Sequence, residues 1–490
     1  ADQSNIYFNL GLCYRNLEQP QEAARAWQEC LKPGGGPESQ SASFYLGELR
    51  LHEQSYEQAV RLLSESVASV GKPLVWKNPI VSLQNARDLF EKALKQLRQV
   101  ARFDLAEKLV NAYASISAPR RILRLQGESN LEWGRALQET EKQNPDNLKN
   151  ARVRYQAAGE AYSKLVELPG LPVAEQGEFV WTAAQAFILA QATDQAIQRL
   201  EQAVKQNLEP QRLGEAWFRL AELYRGKGKK AESLAAFGKC MEHDTRFAYL
   251  ARFQLAMARL EAGDLDEAEA ALVYNLTMLR WESDPEAMSQ SLFALGSLLY
   301  KRRDYRRVVR YLEDALGRFQ DNPEVTKARF QLADSYRQIA AQENQSYLLG
   351  ETMSAETRSH FQREHRRWLQ KAADEFAALD RLLETEAGKQ HFNAEMRAQV
   401  PFISAKCWFN LGQYEKSLTV YEKLIDRYLG KVEVLDALGG AVSCHAALGQ
   451  VDKVKQRLLQ IKTTLPKIEE PVRGPWERWL VEALKPLSEL

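Results

Sequence analysis

The side chains most able to do chemistry in this chain are its histidines, its cysteines and one run of arginines. Six histidines are present: His52, His243, His360, His365, His391 and His445. Only His360 and His365 stand close together, and a separation of five residues turns them about 140° apart around a helix, a poor arrangement for sharing a metal ion. They read as solvated helix residues. Five cysteines, Cys13, Cys30, Cys240, Cys407 and Cys444, are odd in number and without metal-ligand spacing. No HExxH, GxSxG or GxxxxGK[ST] occurs; GKGKKAES at 226–233 has glycine and lysine without the phosphate-loop spacing. No catalytic residue, metal site or cofactor is therefore expected.

The arginine run is KRRDYRRVVR at 301–310, with six basic residues and one acid. Arg302, Arg303, Arg306, Arg307 and Arg310 would suit a phosphate or an acidic peptide, and Arg363, Arg366 and Arg367 could extend the patch. A solvated turn and outer helix face is the competing reading, with Glu313, Asp314 and Asp374 as partners. The whole chain balances 66 Lys and Arg against 65 Asp and Glu. That balance argues against general nucleic-acid binding or attachment to an anionic membrane, so no nucleic acid is expected as partner. Across 490 residues, 45% hydrophobic content and 27% charge indicate a globular chain. No run of about 18 apolar residues is present to span a bilayer. The opening ADQSN shows neither a signal peptide nor a starting Met, which suggests a processed product or a piece of a longer protein.

These residues lie on a repeating frame. In FNLGLCYRNLEQPQEAARAWQECL at 8–31, Leu10, Gly11 and Tyr14 join Tyr7 on one helical face. A turn follows, then Ala23, Trp27, Cys30 and Leu31 form a second stripe. WFRLAELYRGKGKKAESLAAFGKC at 217–240 repeats both, with Trp217, Leu220, Ala221 and Tyr224, then Ser233, Phe237 and Cys240. Leu46, Gly47, Ala59 and Leu63 do so again, as do Leu295, Gly296, Leu312 and Ala315. Small residues at Gly11, Gly47, Ala221 and Gly296 let two helices approach closely.

This pattern resembles the tetratricopeptide-repeat family, in its bacterial style. The resemblance implies an all-α fold, a right-handed superhelical solenoid of stacked helix-turn-helix units with a period of about 34 residues. Unit starts fall near Ser4, Gln40, Arg87, Gly177, Gly214, Tyr249, Ser289, Thr326, Ala398 and Leu435. Two units occupy 1–70, a loop 71–86, and two further units 87–176, the second irregular across 119–168. Four units fill 177–325, an irregular unit with elongated helices 326–397, and further units 398–468. A C-terminal helix at 469–490, with Trp476, Trp479, Leu480, Ala483 and Leu484 on one face, reads as a cap, or as a surface for a partner. Cys13, Cys407 and Cys444 fall where helix A takes a small residue and Cys30 and Cys240 where helix B takes Ala, so all five read as core. Cys13 and Cys30 lie on paired helices, which leaves a disulfide between them open.

The resemblance also implies a concave surface lined by helix A residues opposite the packing stripe. The fifth residue of a unit falls there and is aromatic in eight cases: Phe8, Phe44, Trp181, Phe218, Phe253, Phe293, Phe330 and Phe402. Glu91 and Gly439 depart. Glu222, Met257 and Asp334 lie four residues onward, and Arg225, Tyr300 and Arg337 one turn further. The candidate groove is Trp181, Phe218, Glu222, Arg225, Phe253, Met257, Phe293, Tyr300, Phe330, Asp334 and Arg337, with aromatics as anchors and charges setting register. Each ring could instead pack on the next helix. The function implied is a non-enzymatic scaffold that binds a protein or peptide partner. Alternatives are an adaptor for an anionic ligand or nucleic acid through 301–310, or the docking portion of a longer enzyme. The repeat style is similar to that of bacterial cell-envelope proteins, which points to the envelope or periplasm, with the cytoplasm as alternative.

Overall fold

The computed structural model describes residues 3–32, 36–68, 76–140, 144–206, 208–243, 245–279, 284–349, 354–383, 385, 392–469 and 472–488. Among them are 23 α-helices and no strand. The chain divides into two compact units, 1–251 and 252–490.

The first unit holds α1 (Gln3–Asn16), α2 (Pro20–Leu31), α3 (Gly36–His52), α4 (Tyr56–Ala68), α5 (Leu83–Gln99), α6 (Phe103–Tyr113), α7 (Pro119–Glu139), α8 (Asp146–Glu167), α9 (Val173–Leu189), α10 (Thr193–Ala203), α11 (Pro210–Gly226) and α12 (Lys230–Cys240). The helix α13 (Arg246–Ala262) contains the division. Consecutive helices pair into hairpins, and α1 packs on α3 and α3 on α5, so first helices of successive hairpins also meet.

The pairing has one recurrent steric cause. A side chain on Gly11 would collide with Trp27, and a Cβ on Gly47 would fall 2.8 Å from Leu63. The separation along the chain is the same each time. In the long hairpin α7–α8 two such contacts are stacked: Gly127 faces Tyr162 and Gly134 faces Tyr155, each 2.6 Å from the position a Cβ would take. The large side chain of one helix thus fills the space that the small residue of its partner leaves, as a close-packed interior requires.

A second recurrent feature lies at the turns. Glu18, Gln54, Ala101, Gln191 and Arg303 hold φ of 57°, 57°, 56°, 59° and 61°, at the place where Gly228, Gly412 and Gly449 stand in other hairpins. Five non-glycine residues there carry the cost of the left-handed region. Between α4 and α5 the buried Asn78 replaces helical hydrogen bonds. Its Oδ1 accepts from the Ile80 and Val81 amides (2.8 and 2.9 Å), and its Nδ2 donates to Gln40 Oε1 (2.8 Å). Helix α5 starts at Leu83, inside the stretch read as loop through 86, because Ser82 Oγ caps it by accepting from the Asn85 amide at 3.1 Å. Part of that loop, 71–75, lies outside the described residues.

The second unit continues with α14 (Leu265–Met278), α15 (Pro285–Lys301), α16 (Tyr305–Arg318), α17 (Val325–Leu349), α18 (Ala355–Leu383), α19 (Ala394–Asn410), α20 (Tyr414–Arg427), α21 (Val434–Ala447), α22 (Val451–Thr464), a 3-10 turn at Leu465–Lys467 and α23 (Arg473–Ser488). Gly296 on α15 takes in Leu312 of α16 with the same spacing as before. The polar stretch ENQSYLL is helical and extends α17, where Glu343 is buried and paired with Arg306. Trp476, Trp479, Leu480 and Ala483 of α23 join the core formed by α19 to α22.

Two expectations are corrected. Cys13 is exposed, and all five cysteines are free, so no disulfide joins Cys13 to Cys30. Instead the Cys30 thiol donates to the Ser4 carbonyl (3.2 Å). Leu10 is also exposed; the buried face of α1 is Ser4, Phe8 and Gly11, turned toward α2 and α3. Overfilling one interlock is the direct check. Gly47→Leu should destabilise the α3–α4 hairpin by about 1–3 kcal/mol through overpacking, read as faster amide hydrogen exchange confined to those two helices and their neighbours.

Candidate functional site

At the C-terminal end of the second unit, α19, α21 and α23 line an open cleft of about 650 Å³. Phe402, Lys406 and Phe409 share one face of α19 by their i, i+4, i+7 spacing. Glu433 and Asp436 stand at the start of α21, and Trp476 and Trp479 come from α23. Ring packing fixes these walls. Phe402 stacks on Tyr428 at 5.9 Å, Phe409 leans on Tyr414 at 5.2 Å, and the two indoles meet edge to face at 5.1 Å. Gly440 makes room for the Tyr421 ring of α20, and a Cβ on Gly439 would come within 2.8 Å of Trp476. The Asp436 carboxyl is pushed above its ordinary value, first by burial and then by the Glu433 charge. Among the described residues Lys406, Glu433 and Asp436 make no ion pair.

A cavity of about 550 Å³ in the first unit is of another kind. Its walls carry Arg98 with Glu128 (3.0 Å) and Glu132 (2.5 Å), and Arg121 with Glu91 (2.9 Å), so its arginines and carboxylates already pair with one another.

The aromatic ladder is mostly interior. Phe8, Phe44, Trp181, Phe218 and Phe293 are buried, while Phe253, Phe330 and Phe402 keep partial exposure. Phe218 lies between Phe237 (5.6 Å) and Phe247 (5.4 Å), and Phe330 meets the edge of Phe376 at 6.2 Å. In the first unit Glu222 sits between Arg219 (3.1 Å) and Arg225 (4.0 Å). Met257, in the second, is partly exposed. Tyr300, Asp334 and Arg337 are brought together: Tyr300 Oη donates to Asp334 Oδ2 and Arg337 Nε to Asp334 Oδ1, both at 2.8 Å. Burial, then the Asp334 charge, raises the Tyr300 hydroxyl well above its usual range. Ser297 also donates to Gln331 at 3.0 Å, and both cross-helix pairs are 34 residues apart, one repeat.

The arginine run is paired with carboxylates that the sequence did not suggest. Arg302 binds Asp266 and Glu269, Arg307 binds Glu269 (2.6 Å) and Arg306 binds Glu343. Arg310 lies over Tyr311, and Arg303 occupies the left-handed turn position. The expected partners are used elsewhere: Glu313 by Tyr336 and Lys371, Asp314 by Arg318, and Asp374 by Gln370. The acids that reach the run belong to α14 and α17, the stacked neighbours of α15 and α16.

Three family models, each described as tetratricopeptide repeat, match residues 7–71, 214–244 and 402–428. This is a tetratricopeptide-repeat protein. No curated protein matches it. Among solved structures, the C-terminal part of a TPR repeat-containing protein from Cytophaga hutchinsonii is similar at 12% identity and TM-score 0.35, covering 58% of this chain and 98% of that one. A chain of the APC/C hetero-tetramer Cut9–Hcn1 shows 12% identity and TM-score 0.28, covering 94% and 97%. One from the Naa15/Naa10 complex bound to HypK-THB shows 13% and 0.26, covering 97% and 89%. Likenesses of this size carry no functional argument.

Among the described residues of this tetratricopeptide-repeat protein, no group of three His, Cys, Asp or Glu side chains could hold a metal ion, and no helix is long and apolar enough to cross a membrane. His365 Nδ1 donates to the Ala340 carbonyl at 2.7 Å, which ties that imidazole to α17. Sequence reasoning placed Phe402 on the ladder and Trp476 and Trp479 on the last helix, without joining them. The available signal was Gly439, the break in the ladder nearest the last helix. A structural role for Arg303 can be checked: Arg303→Gly should stabilise the α15–α16 hairpin by about 1 kcal/mol by relieving the left-handed backbone, measured as slower local amide exchange.

Proposed function

We propose that this chain is a non-enzymatic interaction scaffold that holds a segment of a partner protein in the cleft formed by α19, α21 and α23. The carrying observation is an apolar-walled cavity of about 650 Å³ whose charged groups, Lys406, Glu433 and Asp436, are left without ion-pair partners among the described residues. Cavities of roughly 300–1,000 Å³ accept a few side chains, and aromatic walls supply most of the affinity while a few polar groups fix orientation. Phe253, Met257 and Phe330, which also keep exposure, offer further contacts along the second unit. The bacterial style of the repeats favours an envelope or periplasmic setting. An anion adaptor built on Arg302 to Arg310 is the weaker reading, because carboxylates already occupy Arg302, Arg306 and Arg307.

Peptides selected by display against the folded chain provide the test. Phe402→Ala with Phe409→Ala should weaken the selected peptides by about tenfold or more while circular dichroism stays unchanged. Affinity should change less than about threefold between 50 and 300 mM salt, whereas phosphate binding to an arginine run would fall steeply. Unaltered binding by the double variant would move the site elsewhere.

A further inference from the structure

Gly439 breaks the aromatic ladder, and the structure shows what stands in the gap. Beyond its own helix backbone and chain neighbours, a Cβ at Gly439 would meet, among the described residues, only Trp476, at 2.8 and 3.1 Å. Gly11, Gly47, Gly296 and Gly440 differ, since each makes room for a side chain of an adjoining repeat helix. A glycine inside a helix is unfavourable, so its use needs a reason. Here the reason is the indole of a helix that follows the last hairpin. Trp476 supplies the ring that Gly439 lacks, and supplies it from α23, packed directly onto the glycine.

Helix α23 is held mainly by α22 and the 3-10 turn. Leu480 is its buried anchor, while Trp476 and Trp479 stay partly exposed along the cavity and Val481 faces solvent. Glu433 and Asp436 stand one turn apart on the α21 wall, and Lys406 stands on the α19 wall. Two acids on one side and a lysine on the other fix the polarity of whatever enters.

We propose that α23 is a clamp, in which Trp476 and Trp479 close on a bulky apolar side chain of the partner segment while Glu433 and Asp436 receive a basic residue beside it. This rests on the cleft being the binding site. A cation at that place offsets the neighbouring Glu433 charge, the second cause that raises the Asp436 carboxyl after burial, and so favours its ionised form. Lys406 repels the same cation and so rejects the reversed orientation. Binding and seating of α23 are therefore coupled through Gly439.

The experiment uses the full chain with 5-fluorotryptophan in place of its 10 tryptophans, the Trp476 and Trp479 signals being assigned with Trp476→Phe and Trp479→Phe. Two synthetic nonapeptides share a central Leu-Phe-Leu, one flanked by lysines and one by glutamates. The lysine peptide should bind about tenfold more tightly, and should move the Trp476 fluorine resonance as it does so. Glu433→Gln with Asp436→Asn should erase the difference between the peptides. Gly439→Ala should shift the Trp476 resonance in the free protein and weaken the lysine peptide about fivefold with helix content unchanged. Lysine-peptide binding that leaves Trp476 unmoved, or that Gly439→Ala does not weaken, overturns the clamp and leaves the cleft in place. Equal binding of the two peptides overturns the basic-partner chemistry. If neither peptide binds and display-selected peptides ignore Phe402→Ala with Phe409→Ala, the cleft fails and the clamp with it.

Discussion

A large side chain on the second helix of a hairpin, lying over a residue with no side chain on the first, is the contact on which the rest of this structure depends. Trp27 over Gly11, Leu63 over Gly47 and Leu312 over Gly296 are the same contact made three times. Each holds two helix axes closer than a larger residue would allow, and so sets where the following hairpin can pack. Stacked hairpins of this kind gain stability from their neighbours because no single hairpin buries its own apolar face. The cleft inherits that geometry. Gly440 under Tyr421 brings α20 against α21, and Gly439 leaves the adjoining position open to an indole from outside the repeats.

The charged groups follow from the same stacking. One period along the chain brings Tyr300 to Asp334 and Ser297 to Gln331. Arg302 and Arg307 reach back to α14, and Arg306 reaches forward to α17. What looks in sequence like a basic patch is thereby a set of links between hairpins. The α19–α21–α23 cleft is different, because its lysine and its acids face open space between apolar walls.

The helical hairpins and their interlock were legible in the sequence because both depend on residues less than one period apart. Periodic Leu, Gly and Ala place a face, and that face forms wherever a neighbour covers it. Where a residue's fate depends on a more distant segment, local pattern fails. Leu10 shares the stripe of Tyr7 and Gly11 yet is exposed, since the fully buried face of α1 is Ser4, Phe8 and Gly11. Cys13 is exposed for the same reason. The ladder rings were recognisable by position, but which of them stay accessible is set by the ring that each meets across the hairpin. Phe218 is enclosed by Phe237 and Phe247, whereas Phe402, stacked on Tyr428, keeps a side open. Trp476 has no place in the period at all, so its meeting with Gly439 could not be read from the repeat.

The interlock itself is tested most directly by a double-mutant cycle on Gly296 and Leu312, read as opening free energies of α15 and α16 from native-state hydrogen exchange. If the glycine is there to admit the leucine, Gly296→Ala alone costs about 1–3 kcal/mol. In the Leu312→Ala background the same change costs nothing, or stabilises by up to about 1 kcal/mol because alanine is the better helix former. Equal costs in the two backgrounds would contradict the account, since the two residues would then contribute independently and the close approach of the helices would need another cause.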